Sequence, residues 1–102
     1  MTDTSTTARL LNLTGIILRG QGTINSAIGV LTRARTASER ALGADHPNTL
    51  TSRNNLAAAY QTAGDLSRAI PLYEATLADC ERVLGADHPT TKTVRANLEA
   101  VR

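Results

Sequence analysis

The hexapeptide LGADHP occurs at Leu42–Pro47 and again at Leu84–Pro89, 42 positions later. Sliding the chain against itself by that offset extends the match in both directions. Gly22 falls on Gly64, Ala27-Ile28 on Ala69-Ile70, and Glu39-Arg40 on Glu81-Arg82. Downstream, Thr49, Thr51, Arg53, Asn55-Leu56 and Ala58 fall on Thr91, Thr93, Arg95, Asn97-Leu98 and Ala100. The chain therefore reads as about two and a half copies of one unit, the mark of a repeat architecture.

Between the hexapeptides the sequence has helical periodicity. Leu56, Ala59, Tyr60 and Ala63 follow the i, i+3, i+4, i+7 spacing of one buried face. Gly64 ends that helix as a left-handed cap, and Asp65 is a good N-cap for the next. The second helix carries Leu66, Ile70, Tyr73, Leu77, Cys80 and Leu84 along one stripe, and Gly85 and Gly43 close their helices as Gly64 does. Helices are expected near 5–20, 24–42, 47–62, 66–84 and 89–101. Pro71 and its equivalent Gly29 are poor helix formers inside their helices, and Pro71 should bend the first turns. No single stripe can be buried by its own helix pair, so the units must stack into an α-solenoid.

The Asp-His pair inside each hexapeptide invites a chemical reading, because such pairs bind metals or move protons. Recurrence at the repeat offset argues against it. The second pair lies one unit along the solenoid, whereas a metal site needs three or four converging ligands. Pro47 suits the first turn of a helix, and the residue before a proline avoids helical angles. His46 or Asp45 is thus expected to cap the following helix, making LGADHP a structural joint.

Composition excludes several classes. With no Trp or Phe and two Tyr, any core is built from Leu, Ile, Val and Ala, which favours helices. Ten of the eleven basic residues are Arg, but they are interspersed with nine acids, and the net charge is +2. Nucleic-acid binding needs clustered positive charge, often with stacking aromatics, and neither is present. The longest apolar cluster, LLNLTGIIL at Leu10–Leu18, falls far short of the ~20 residues of a membrane span. The N-terminus lacks a secretory pattern. Cys80, the one cysteine, excludes an internal disulfide and suits a reducing compartment, so a cytoplasmic protein is expected. Cys80 sits on the second-helix stripe without a partner base and reads as a half-buried packing residue. No catalytic constellation or cofactor motif stands out, and the expectation is a non-enzyme with no cofactor or metal.

The stretch NNLAAAYQTAGDLSRAIPLYEATL, Asn54–Leu77, resembles the tetratricopeptide repeat, with Leu56, Ala57, Tyr60, Gly64, Ala69 and Tyr73 on the family's signature positions. The 42-residue period and the LGADHP joint look most like the kinesin-light-chain subtype common in bacterial regulatory proteins. The resemblance implies an all-α, right-handed solenoid of antiparallel helix pairs in a single domain spanning 1–102. Unit 1 would cover about 5–46, unit 2 about 47–88, and 89–101 would form a capping helix. The cap reading rests on Glu99 and Arg102, which stand where Ala57 and a tyrosine stand one unit earlier and suit solvent rather than a following helix.

In that family the first helix of each unit lines a concave groove that binds peptides. By periodicity Thr51, Asn54, Ala58 and Gln61 lie opposite the buried face of the middle helix, with Asn55 on its flank. The resemblance gives Asn55 and Asn97 a role in holding a peptide backbone, which an amide can both donate to and accept from. The alternative is that these asparagines bond between neighbouring helices and brace the superhelix. The expected groove contacts are Asn12, Ile16, Arg19, Asn54, Asn55, Gln61 and Asn97. A clamp for a C-terminal carboxylate is absent except for Asn55, because its basic positions hold Asn12, Ile16 and Thr93. The expected function is therefore a protein-interaction module for a peptide or partner helix. The alternative is a small homo-oligomer, such as a homodimer, because apolar residues occupy nearly every side of the first helix. Leu10, Leu13 and Ile17 would carry that self-association.

Overall fold

The computed structural model describes residues 23–102, and four helices occupy them: α1 (Ile24–Leu42), α2 (Pro47–Thr62), α3 (Leu66–Leu84) and α4 (Pro89–Val101). No strand occurs among the described residues. The helix bounds coincide with four spans read from periodicity and turn residues. The helix expected near 5–20 lies outside the described residues, and with it the count of five helices and two and a half units.

The two joints are built alike. His46 and His88 both adopt φ −65°, ψ 140°, the extended conformation that a following proline imposes. Each then caps the next helix through its own ring: His46 Nδ1 accepts from the Asn48 N–H and His88 Nδ1 from the Thr90 N–H, both at 3.1 Å. Asp45, the other candidate cap, does not take that role; its carboxylate is drawn to Arg82, at 2.8 Å. Of the three glycines expected to end helices alike, Gly64 does so as expected and the other two differ. Gly64 has φ +80° and sits at the centre of a Schellman turn, with Asp65 N–H to Tyr60 C=O at 2.9 Å and Gly64 N–H to Gln61 C=O at 3.0 Å. Gly43 and Gly85 instead pair φ +91° with ψ 160° and 157°. That is an extended mirror conformation essentially reserved for glycine, so these joints open the chain outward rather than coil it back.

Helix α2 is the central element, packed on α1, α3 and α4. One core cluster joins Leu50 and Ala57 of α2 to Ala69, Tyr73 and Cys80 of α3 and to Val94 and Leu98 of α4. A second joins Leu31 of α1 to Leu56 and Ala59 of α2. Because neighbours flank α2 on several sides, its buried set is wider than one stripe and includes Thr49, Ser52 and Asn54. Two residues assigned to the stripes are exposed, Ala63 and Leu66; they flank the turn, Ala63 as the cap that ends α2 and Leu66 as the first residue of α3. Cys80, expected half-buried, is fully buried. Helix α3 runs through Pro71 without interruption. Glu99 and Arg102 are exposed, with Arg102 lying 3.8 Å from Glu74.

Candidate ligand groove

Helices α2 and α4 lie side by side, and their N-terminal halves enclose an open groove of about 290 Å³ lined by Thr51, Asn54, Asn55, Pro89, Thr90 and Thr93. The joint places these residues. Pro89 begins α4 without wasting a backbone donor, and the His88 cap fixes the turn that presents Thr90 and Thr93.

The expected asparagines divide into two kinds. Asn97 Nδ2 donates to Asn54 Oδ1 at 3.2 Å, and Asn54 is buried, with 9% of its surface exposed. Periodicity puts Asn54 on the open face of α2; the neighbouring α4 covers it. Asn55 lines the same groove half-buried, and its amide makes no hydrogen bond among the described residues. Gln61 lies farther along α2, outside the groove lining, where its Oε1 accepts from the Tyr73 hydroxyl at 2.8 Å. Gln61 thus braces α2 against α3. Asn12, Ile16 and Arg19, and the self-association residues Leu10, Leu13 and Ile17, lie outside the described residues. Pro89 and Thr90 are lining residues that sequence reasoning misses. Pro89 reads in sequence only as a helix start, and nothing local shows that its turn meets Asn55.

The charges are used elsewhere. Arg53 Nη1 of α2 donates to Asp79 Oδ2 of α3 at 2.7 Å. Arg82 grips both oxygens of Asp45, at 2.8 and 3.2 Å, and also reaches Asp79 at 3.3 Å. The Arg53 hydrogen bond is the main reason that the Asp79 carboxyl titrates below the usual carboxylate range, and the Arg82 hydrogen bond does the same for Asp45. This network ties the α1–α2 joint to α2 and α3, giving the Asp of the first Asp-His pair a structural duty. Among the described residues no group of three or more His, Cys, Asp and Glu side chains could hold a metal ion. Burial pushes the Cys80 thiol up, away from the reactive thiolate. No described helix is long and apolar enough to cross a membrane.

The tetratricopeptide repeat model matches residues 6–81. This chain belongs to the tetratricopeptide repeat family. Among solved structures it is similar to the nearly identical TPR-like repeats of a Podosopora anserina protein classed with the kinesin light chains. That likeness has a TM-score of 0.88 at 25% identity and covers 99% of this chain and 47% of the other. A single-substitution form of the same protein aligns with a TM-score of 0.87 at 24% identity over the same shares. The tetratricopeptide chain thus spans about half the length of these structures. No curated protein matches its sequence. Tetratricopeptide repeats generally mediate protein–protein interaction and are typically non-enzymatic scaffolds.

Proposed function

We propose that this tetratricopeptide chain is a non-enzymatic interaction module that holds a peptide of a protein partner in the groove between α2 and α4. The observation that carries the reading is Asn55, a half-buried amide with no partner among the described residues, set in the groove wall beside an asparagine that is already tied down. The Asn55 amide is not sealed from water, but a ligand that covers the groove must replace that water, so one that hydrogen-bonds the amide is favoured over one that does not. Asn54 and Asn97 support the wall rather than the ligand.

The test compares capture of host proteins by the wild-type chain, by Asn55→Ala and by Glu74→Ala, whose residue lies on α3 outside the groove. Partners retained by Glu74→Ala and lost by Asn55→Ala, with both variants melting as the wild type does, are the expected result. Equal capture by all three chains would remove the groove from the mechanism.

A further inference from the structure

We propose that the two LGADHP joints are proton-sensitive couplings: acid that protonates His46 and His88 uncaps α2 and α4, while the α2–α3 hairpin keeps its cap.

The geometry of the rings carries the proposal. Each Nδ1 accepts a backbone N–H at 3.1 Å, from Asn48 in one joint and from Thr90 in the other. An imidazole nitrogen accepts only through a lone pair, so the capping rings are neutral and carry their proton on Nε2. A second proton and the backbone N–H therefore compete for the same lone pair. Once protonated, Nδ1 is a donor facing a donor, and the cap is lost. A positive ring then stands at a helix N-terminus, where the dipole favours negative charge. The contribution of each cap is thus present at neutral pH and lost as the pH falls through the range in which imidazoles protonate. The hairpin is built differently. Asp65 caps α3 through a carboxylate oxygen, which accepts from the Arg68 N–H at 3.2 Å. A carboxylate stays an ionised acceptor well below the pH at which imidazoles take up a proton.

The surroundings offer the protonated rings no compensation. Neither imidazole makes an ion pair among the described residues. The charged groups of the first joint are Asp45 and, from α3, Arg82 and Asp79, with Glu39 and Arg40 at the end of α1. Arg82 already engages both of those aspartates, at 2.8 and 3.3 Å. Those of the second joint are Asp87, Lys92 one turn into α4, and the pair of Glu81 with Arg95 at 3.9 Å. Arg95 also donates to the Ala86 carbonyl at 3.3 Å, which sets positive charge beside that joint. The chain has two histidines, and both are these caps. Asp45 and Asp79 titrate below the usual carboxylate range and the Cys80 thiol is pushed up, so none of the three changes charge between neutral and mildly acid pH. Because Pro89, Thr90 and Thr93 of the groove wall follow the second joint directly, that wall shares the response.

The test melts the full chain at about pH 8 and about pH 5, as wild type and as the double variant His46→Asn with His88→Asn. Asparagine is a strong N-cap that does not titrate, and the double variant keeps every other ionisable group. Between the two conditions the Tm of wild type should fall by at least about 4 °C more than that of the double variant, the scale of one lost cap. Equal falls in the two chains, or no fall in either, overturn the proposal. NMR of the wild-type chain gives a second reading that does not need the variant to fold. At about pH 8 the imidazole nitrogen shifts should report the Nε2–H tautomer in both rings. On acidification the amide protons of Asn48 and Thr90 should shift together with the ring signals, while that of Arg68 stays in place. An Nδ1–H tautomer in either ring overturns the proposal, as do Asn48 and Thr90 amides that stay unmoved once the rings are protonated, or an equal shift at Arg68.

Discussion

Asn54 spends its amide on Asn97 at 3.2 Å, while Asn55, one residue on and turned by about 100° around the helix axis, keeps its amide for the groove. Their substitutions should therefore separate. Asn54→Ala leaves Asn97 without its partner and should cost about 1 kcal/mol, read as a fall in Tm of about 4–8 °C. Asn55→Ala should stay within about 0.5 kcal/mol of wild type. Equal melting of the two variants would show that the Asn54–Asn97 bond contributes nothing. The joints make a parallel case. Because His46 and His88 supply the N-cap acceptors, each change to Ala should cost about 1 kcal/mol, and His46→Asp, itself a strong N-cap, should restore it. Thr49 and Thr91 are equivalent in sequence and both fully buried, yet only Thr49 donates, to the Gly43 carbonyl at 2.7 Å. The Thr91 hydroxyl is buried with no hydrogen-bond partner. Denaturant unfolding should therefore show Thr49→Val destabilised by about 1–3 kcal/mol and Thr91→Val neutral or stabilised. The reverse order would mean that the Thr91 hydroxyl is satisfied in solution.

At the scale of the element, the helices carry residues that their own propensity opposes. Gly29 lies exposed within α1, and a Cβ added there would meet nothing within 4 Å. Gly29→Ala should stabilise by about 0.5–1 kcal/mol through reduced freedom of the unfolded chain. Pro71, also exposed, removes one backbone hydrogen bond from the continuous helix α3, since it has no N–H to give the Ser67 carbonyl. Pro71→Ala should add up to about 3 kcal/mol. A variant no more stable than wild type would show that the proline ring makes contacts that the alanine loses. Gly43→Ala should act oppositely: the space around it is open, but φ +91° with ψ 160° strains any side-chain-bearing residue by about 1–3 kcal/mol. Open space therefore does not predict tolerance at Gly43, whereas it does at Gly29.

Across the whole molecule, the ion-pair network binds elements that the hydrophobic clusters leave partly separate. Asp79 is the residue to probe, because it meets both Arg53 and Arg82. Its folded-state titration is depressed, led by the Arg53 hydrogen bond. Such a group adds stability that is present above its unfolded value, about 3.8, and lost as the pH falls through and below it. Urea midpoints measured from neutral pH down to acid should therefore converge for wild type and Asp79→Asn. A difference that persisted at the lowest pH would assign the effect of the substitution to packing rather than charge. Asp45 shares the direction but is fully exposed, and its pair with Arg82 should fade with added salt.

The helix order and bounds were legible in the chain because their causes are local. Gly64 with Asp65, and Gly85 with His88 and Pro89, carry their turn chemistry within a few contiguous residues, and the stripes of α2 and α3 follow the helical period. The recurrence of LGADHP added the reading of its Asp-His pairs as joints. What the sequence left open was every question about residues roughly forty positions apart. Whether Asn54 or Asn55 is tied to α4, whether Asp45 caps a helix or grips Arg82, and that Pro89 and Thr90 complete a wall begun by Thr51, all depend on the azimuth at which one helix meets another. That azimuth is set by side-chain packing along the shared length of α2, α3 and α4. Periodicity names the faces of each helix, and only the packed structure decides which faces meet.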